Sequence, residues 1–210
     1  MGQAQFRRPA MLTADQAESI VGDIDPAVKS EAAHTTAAAI VHGGRAGADD
    51  KELVERLVRL VETEGLDAIA AIWADSPADT LPGALWRLYL LREWTRREPQ
   101  TIAERYRLGV ARAEVAGAVA GVADTPGPDE IRTLADAVLS GVFRGDLDVA
   151  LERAGAFCRV LATGSALDAD HVAVSDEEFA TRLTRNAGAL VDTAVELERA
   201  GALWRADRLD

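Results

Sequence analysis

Between Arg87 and Arg112 the chain carries seven arginines (Arg87, Arg92, Arg96, Arg97, Arg105, Arg107 and Arg112) against three acids, Glu93, Glu98 and Glu104. That segment has a local charge of +4 in a chain whose formal charge is −12, so everything outside it carries −16. Guanidinium groups interleaved with Trp86, Tyr89, Trp94 and Tyr106 have the chemistry to hold an anion: the planar fork grips carboxylate or phosphate, and the rings stack on a flat ligand. Arg87, Arg92, Arg96, Arg97, Arg105 and Arg107 are therefore the candidate ligand-binding residues, for an anionic ligand or a nucleic-acid backbone. The competing reading is internal. On a helix Glu93 reaches Arg96 and Arg97 at i+3 and i+4, Glu104 reaches Arg107, and acidic helices around the segment can neutralise the rest.

Metal and nucleophile chemistry find less to work with. Glu31 and His34 have the Glu-x-x-His spacing of carboxylate-bridged di-metal bundles, which need a second such pair, and the sequence has none. His42 lies about 12 Å further along a helix axis, too far to share an ion with His34. Asp168-Ala169-Asp170-His171 starts like a calcium loop, but Ala173 and Phe179 stand where the loop needs Gly and Glu. Thr163-Gly164-Ser165-Ala166-Leu167 lacks the second glycine and the preceding strand of a nucleophile elbow. Gly43-Gly44-Arg45-Ala46-Gly47 and Gly117-Ala118-Val119-Ala120-Gly121 lack the Lys-Ser/Thr ending of a phosphate loop. Cys158, alone, permits no intrachain disulfide, and in Phe157-Cys158-Arg159-Val160-Leu161 it reads as a small buried hydrophobe. No catalytic residue, metal ligand or cofactor is expected.

The elements that would position these residues are helical. Of the 210 residues 48% are hydrophobic and 28% charged, and 41 are alanine, a composition that favours helix over strand and suits an ordinary globular protein. Such a chain buries roughly 70–75% of the surface its unfolded form exposes. Residues 1–12 have no periodicity and are expected to form a flexible arm, with a single helical domain over 13–206. Helices are predicted from Thr13, from Asp25-Pro26 to His42, from Asp49 or Asp50 to Gly65, and from Asp67 to Ala74. Leu81 to Arg97 is apolar on almost every side, which places it at the centre of a bundle. Helix is expected again from Thr101 to Ala123. Thr125-Pro126-Gly127-Pro128 then marks a candidate subdomain boundary near 124–128. A hairpin of Asp129–Phe143 and Leu147–Thr163 follows, and Ser175-Asp176-Glu177-Glu178 caps a final helix to Arg205.

Along that last helix Leu183, Ala187, Leu190, Ala194, Leu197, Gly201 and Trp204 alternate spacings of four and three. Large and small residues take turns in a heptad seam, which fits packing on a helix of the same chain or a homodimer interface. Residues 145–154 resemble the first helix of a tetratricopeptide unit, but no 34-residue period recurs, so no solenoid is implied. In length and helix content the chain also resembles TetR-type repressors, yet residues 13–65 are acidic and show no turn flanked by basic residues.

The sequence therefore predicts an all-α bundle of about eight helices around a buried central helix, 81–97. The expected function is a non-catalytic protein–protein interaction or regulatory module, with anion or nucleic-acid binding through the arginine segment as the alternative. An enzyme using a carboxylate in an interhelical pocket comes third. Nucleic acid is disfavoured by the overall charge, which repels phosphate. No secretory signal is recognised, and the longest low-charge stretch, Val115–Ala123, is too short to cross a bilayer, so a cytoplasmic location is expected with no membrane partner.

Overall fold

A computed structural model of the chain describes residues 25–43, 65–117, 126–141, 143, 146–172 and 176–210. Those residues form seven helices and no strand: α1 (Pro26–Gly43), α2 (Leu66–Trp73), α3 (Leu81–Arg97), α4 (Pro99–Gly117), α5 (Pro128–Leu139), α6 (Leu147–Val172) and α7 (Glu177–Arg205). The all-α class holds, with seven helices among the described residues against about eight expected. The N-terminal arm and the helices predicted from Thr13 and over 49–65 lie outside the described residues.

The central position of α3 follows from its composition. It contacts each of the other six helices, and Leu81, Ala84, Leu85, Leu88 and Leu91 are all buried along it. Thr80 caps its start by accepting the Gly83 N–H at 3.3 Å, and Pro82 fits a first turn that needs no donor there. The backbone N–H of Leu81 is satisfied from the far end of the chain, donating to the Asp210 carbonyl at 2.7 Å. Burial is not complete all round, however. Leu90 is 47% exposed, and Trp86 and Trp94 beside it are half-buried.

Two sequence boundaries move. The helix expected to stop at Thr163 continues to Val172, because Gly164 is used for close packing inside the helix and not for ending it. Its added Cβ would fall 1.8 Å from the Arg105 carbonyl oxygen, and a Cβ on Gly109 would fall 2.0 Å from the Val160 carbonyl oxygen. The α4 and α6 backbones therefore meet where both lack side chains. The second shift is at α5, which ends at Leu139 instead of Phe143, with Gly141 at φ 71 turning the chain.

The most extensive helix pair is α6 with α7. Asp176 opens α7 by accepting the Phe179 N–H at 2.8 Å, so the cap sits one residue after Ser175, the first residue of the predicted capping box, which lies outside the described residues. Arg205 closes it by donating to Asp148 at 2.9 Å and Glu152 at 2.6 Å on α6.

Candidate functional site

The predicted arginine site divides into three parts. Arg92, Arg96 and Arg97 converge on one carboxylate, Glu93, whose side chain is 7% exposed, at 2.6, 2.8 and 3.3 Å. Arg92 also bonds Asp136 on α5. The hydrogen bond from Arg96, with the charges of Arg96, Arg92 and Arg97, holds Glu93 below the usual carboxylate range against the opposing effect of burial. Arg87 leaves this group for α7, donating through Nε to Glu196 at 2.5 Å and through Nη1 to the Gly83 carbonyl at 2.9 Å. Arg105 turns to α6 and bonds Asp168 at 3.3 Å. Arg107 is exposed and makes no ion pair among the described residues. Most of the positive charge thus goes to intrachain pairing; the Glu93 pairs with Arg96 and Arg97 form at the expected spacing, and a Glu104–Arg107 pair is absent among the described residues.

Three of the four aromatic residues of the segment are likewise engaged. Trp86 stacks on Tyr89 with centroids 5.4 Å apart, and the Tyr89 hydroxyl donates to Asp67 at 2.9 Å. Burial, the Asp67 hydrogen bond and the nearby carboxylate charges push the Tyr89 phenol up to about 12. Tyr106 stacks on Phe157 of α6 at 5.5 Å.

The heptad seam of α7 is covered inside the chain. Leu183, Ala187, Leu190, Ala194, Leu197 and Gly201 are buried, and Trp204 is half-buried with His42 stacked on it at 5.6 Å. A Cβ on Gly201 would lie 3.0 Å from the Asp148 carbonyl oxygen, so the small residue of the seam lets α6 approach, as the spacing implies. The seam is an α6–α7 contact within one chain.

Cys158 is fully buried, and burial with the charge of Glu198 raises its thiol to about 12, which makes it a core residue and not a nucleophile. His34 and His171 each place Nδ1 against the carbonyl four residues earlier, at 2.8 and 2.9 Å. Among the described residues no three His, Cys, Asp or Glu side chains gather in a way that could hold a metal ion. No described helix is long and apolar enough to cross a membrane.

An open concavity lies elsewhere, between α5 and α6. α5 buries Ile131, Ala135, Val138 and Leu139, and its other side leaves an open groove of 670 Å³ against the first turns of α6. Leu134, Ala137, Phe143, Val149 and Ala150 supply its apolar lining, and Val149 is 46% exposed. Asp129, Glu130 and Asp146 stand around it with one cation, Arg153. Sequence reasoning did not mark these residues as a site, although one signal was present. Leu147, Val149, Ala150 and Leu151 cover more of the helix circumference than one core face needs, and Val149 is the surplus.

Protein-family models, curated proteins and solved structures were all compared with the chain, and none of them matches it.

Proposed function

We propose that the protein is a non-catalytic interaction module whose α5–α6 groove receives an amphipathic helix with basic flanks from a protein partner. The observation that carries this reading is the groove itself: an open apolar trough containing the exposed Val149 and bordered by three carboxylates to one arginine. An open trough of this kind suits the apolar stripe of a helix, while the acidic border favours lysine or arginine beside that stripe. The charge of −12 adds a long-range attraction for a basic partner. The α7 seam is buried inside the chain, which supports placing the partner in the groove.

The test is fluorescence anisotropy with a labelled peptide that has leucines at i, i+3, i+4 and i+7 and lysines elsewhere. Saturable binding is expected, weakened at least about tenfold by Val149→Glu and by a peptide carrying glutamate in place of lysine. Absence of saturable binding, or binding indifferent to Val149→Glu, overturns the reading.

A further inference from the structure

A second cleft, of 450 Å³, opens where the α3–α4 joint meets α7. Its features differ from those of the groove. Arg105 forms part of the wall with its side chain nine-tenths buried. The hydrogen bond it makes to a described residue leaves from Nε, to Asp168 at 3.3 Å. A guanidinium in a cleft wall that bonds a described residue through Nε can offer both Nη groups, in one plane, to a carboxylate or phosphate.

The rest of the cleft is built for a flat apolar body. Trp94 and Phe179, both half-buried, provide aromatic walls, and Leu183 and Leu190 a buried apolar floor. Arg182 lies over the Phe179 ring at 5.4 Å while pairing with Glu178 at 3.0 Å. One acid, Glu98, also lines the cleft and disfavours ligands with a second anionic group on its side. A volume of 450 Å³ falls within the range of about 300–1,000 Å³ that small-molecule sites occupy.

We infer that this cleft binds a small aromatic anion, a flat ring system bearing one carboxylate or one phosphate, with Arg105 gripping the anionic group and Trp94 and Phe179 flanking the ring. The site stands apart from the α5–α6 groove and does not depend on that groove having a partner. The close α4–α6 crossing at Gly164 fixes the Arg105 backbone, and Asp168 on α6 takes its Nε.

The experiment is isothermal titration of the full chain with 2-naphthoate, 2-naphthyl phosphate and the neutral 2-naphthylmethanol. At least one anion is expected to bind saturably and at least about tenfold more tightly than the neutral compound. The more tightly bound of the two identifies carboxylate or phosphate as the natural group. Arg105→Lys retains the charge and loses the planar fork, and should weaken the anion about tenfold or more. Ala189→Trp fills the exposed side of the cleft without entering the core, and should abolish binding in a chain whose circular dichroism is unchanged. Equal binding of the neutral compound, no binding of either anion, or anion binding that survives Ala189→Trp overturns the proposal.

Discussion

The Cα of Gly164 faces the carbonyl oxygen of Arg105 so closely that a methyl group added there would sit 1.8 Å from it. Backbone cannot give way as the end of a flexible side chain can, so Gly164→Ala must push α4 away from α6. We expect a loss of about 3 kcal/mol in urea unfolding, at the upper end for overpacking. Gly188→Ala is the control. Gly188 is also inside a helix but has open space around its Cα, so alanine there should stabilise by about 0.5–1 kcal/mol. Equal effects of the two substitutions would show that the α4–α6 contact is looser than described.

Gly164 also marks where the sequence was legible and where it was not. The bounds of α3 were readable residue for residue, since Pro99 follows its last turn and leucines fill the helix from Leu81. The α7 seam was readable as a seam, with its partner left open between α6 and a second copy. Residues 165–174 show no helical period, and a one-dimensional reading cannot know that another backbone lies against Gly164. The arginine segment shows the same limit. Its charge excess was plain, but the partners of Arg87, Arg92 and Arg105 come from Glu196, Asp136 and Asp168, between 44 and 109 residues away. The cleft at Arg105 needs Phe179 and Leu190 from α7, and no local pattern links them to α4.

Ser165, the next residue, should respond in the opposite direction to Gly164. Its side chain is fully buried, and its hydroxyl has no hydrogen-bond partner. Alanine removes an unsatisfied group and is the better helix former. Ser165→Ala is expected to stabilise by about 1 kcal/mol, measured as a higher urea midpoint at unchanged slope. A destabilisation of similar size would mean that the hydroxyl has a partner.

Thr36 and Trp73 join α1 to α2 through a buried hydrogen bond, in which the indole Nε1–H donates to Thr36 Oγ1 at 3.0 Å. Thr36→Val preserves shape and leaves the indole without an acceptor. The expected cost is about 1–3 kcal/mol, the desolvation penalty of the orphaned donor. Thermal unfolding of the two proteins at one pH decides it, and an unchanged midpoint would exclude the bond.

Glu93 makes stability depend on acid. Its folded pKa lies below the ordinary 4.5, so the stabilisation it gives is fully present above 4.5 and is lost as pH falls through the folded value. Glu93→Gln removes that component and leaves Arg92, Arg96 and Arg97 facing one another around a neutral amide. We expect a loss of about 3 kcal/mol at neutral pH, and a gap between variant and wild type that narrows below pH 4. Parallel stability curves over that range would contradict the account.

Cys158 and Tyr89 give the opposite limb. Both are neutral when protonated and both are raised to about 12, from ordinary values of 9.0 and 10.0. Their contribution is therefore complete below pH 9 and falls away as pH rises toward 12, because the unfolded chain ionises first. Cys158 supplies its own readout. With its thiol fully buried between α6 and α7 residues, an aromatic disulfide reagent at pH 8 should leave the native protein unmodified and react stoichiometrically in denaturant. In intermediate urea the labelling rate should track the unfolded fraction, since exposure of the sulfur requires α6 to leave α7. Reaction of the native chain at the rate of a free thiol would place Cys158 at the surface, and with it the α6–α7 contact would have to be redrawn.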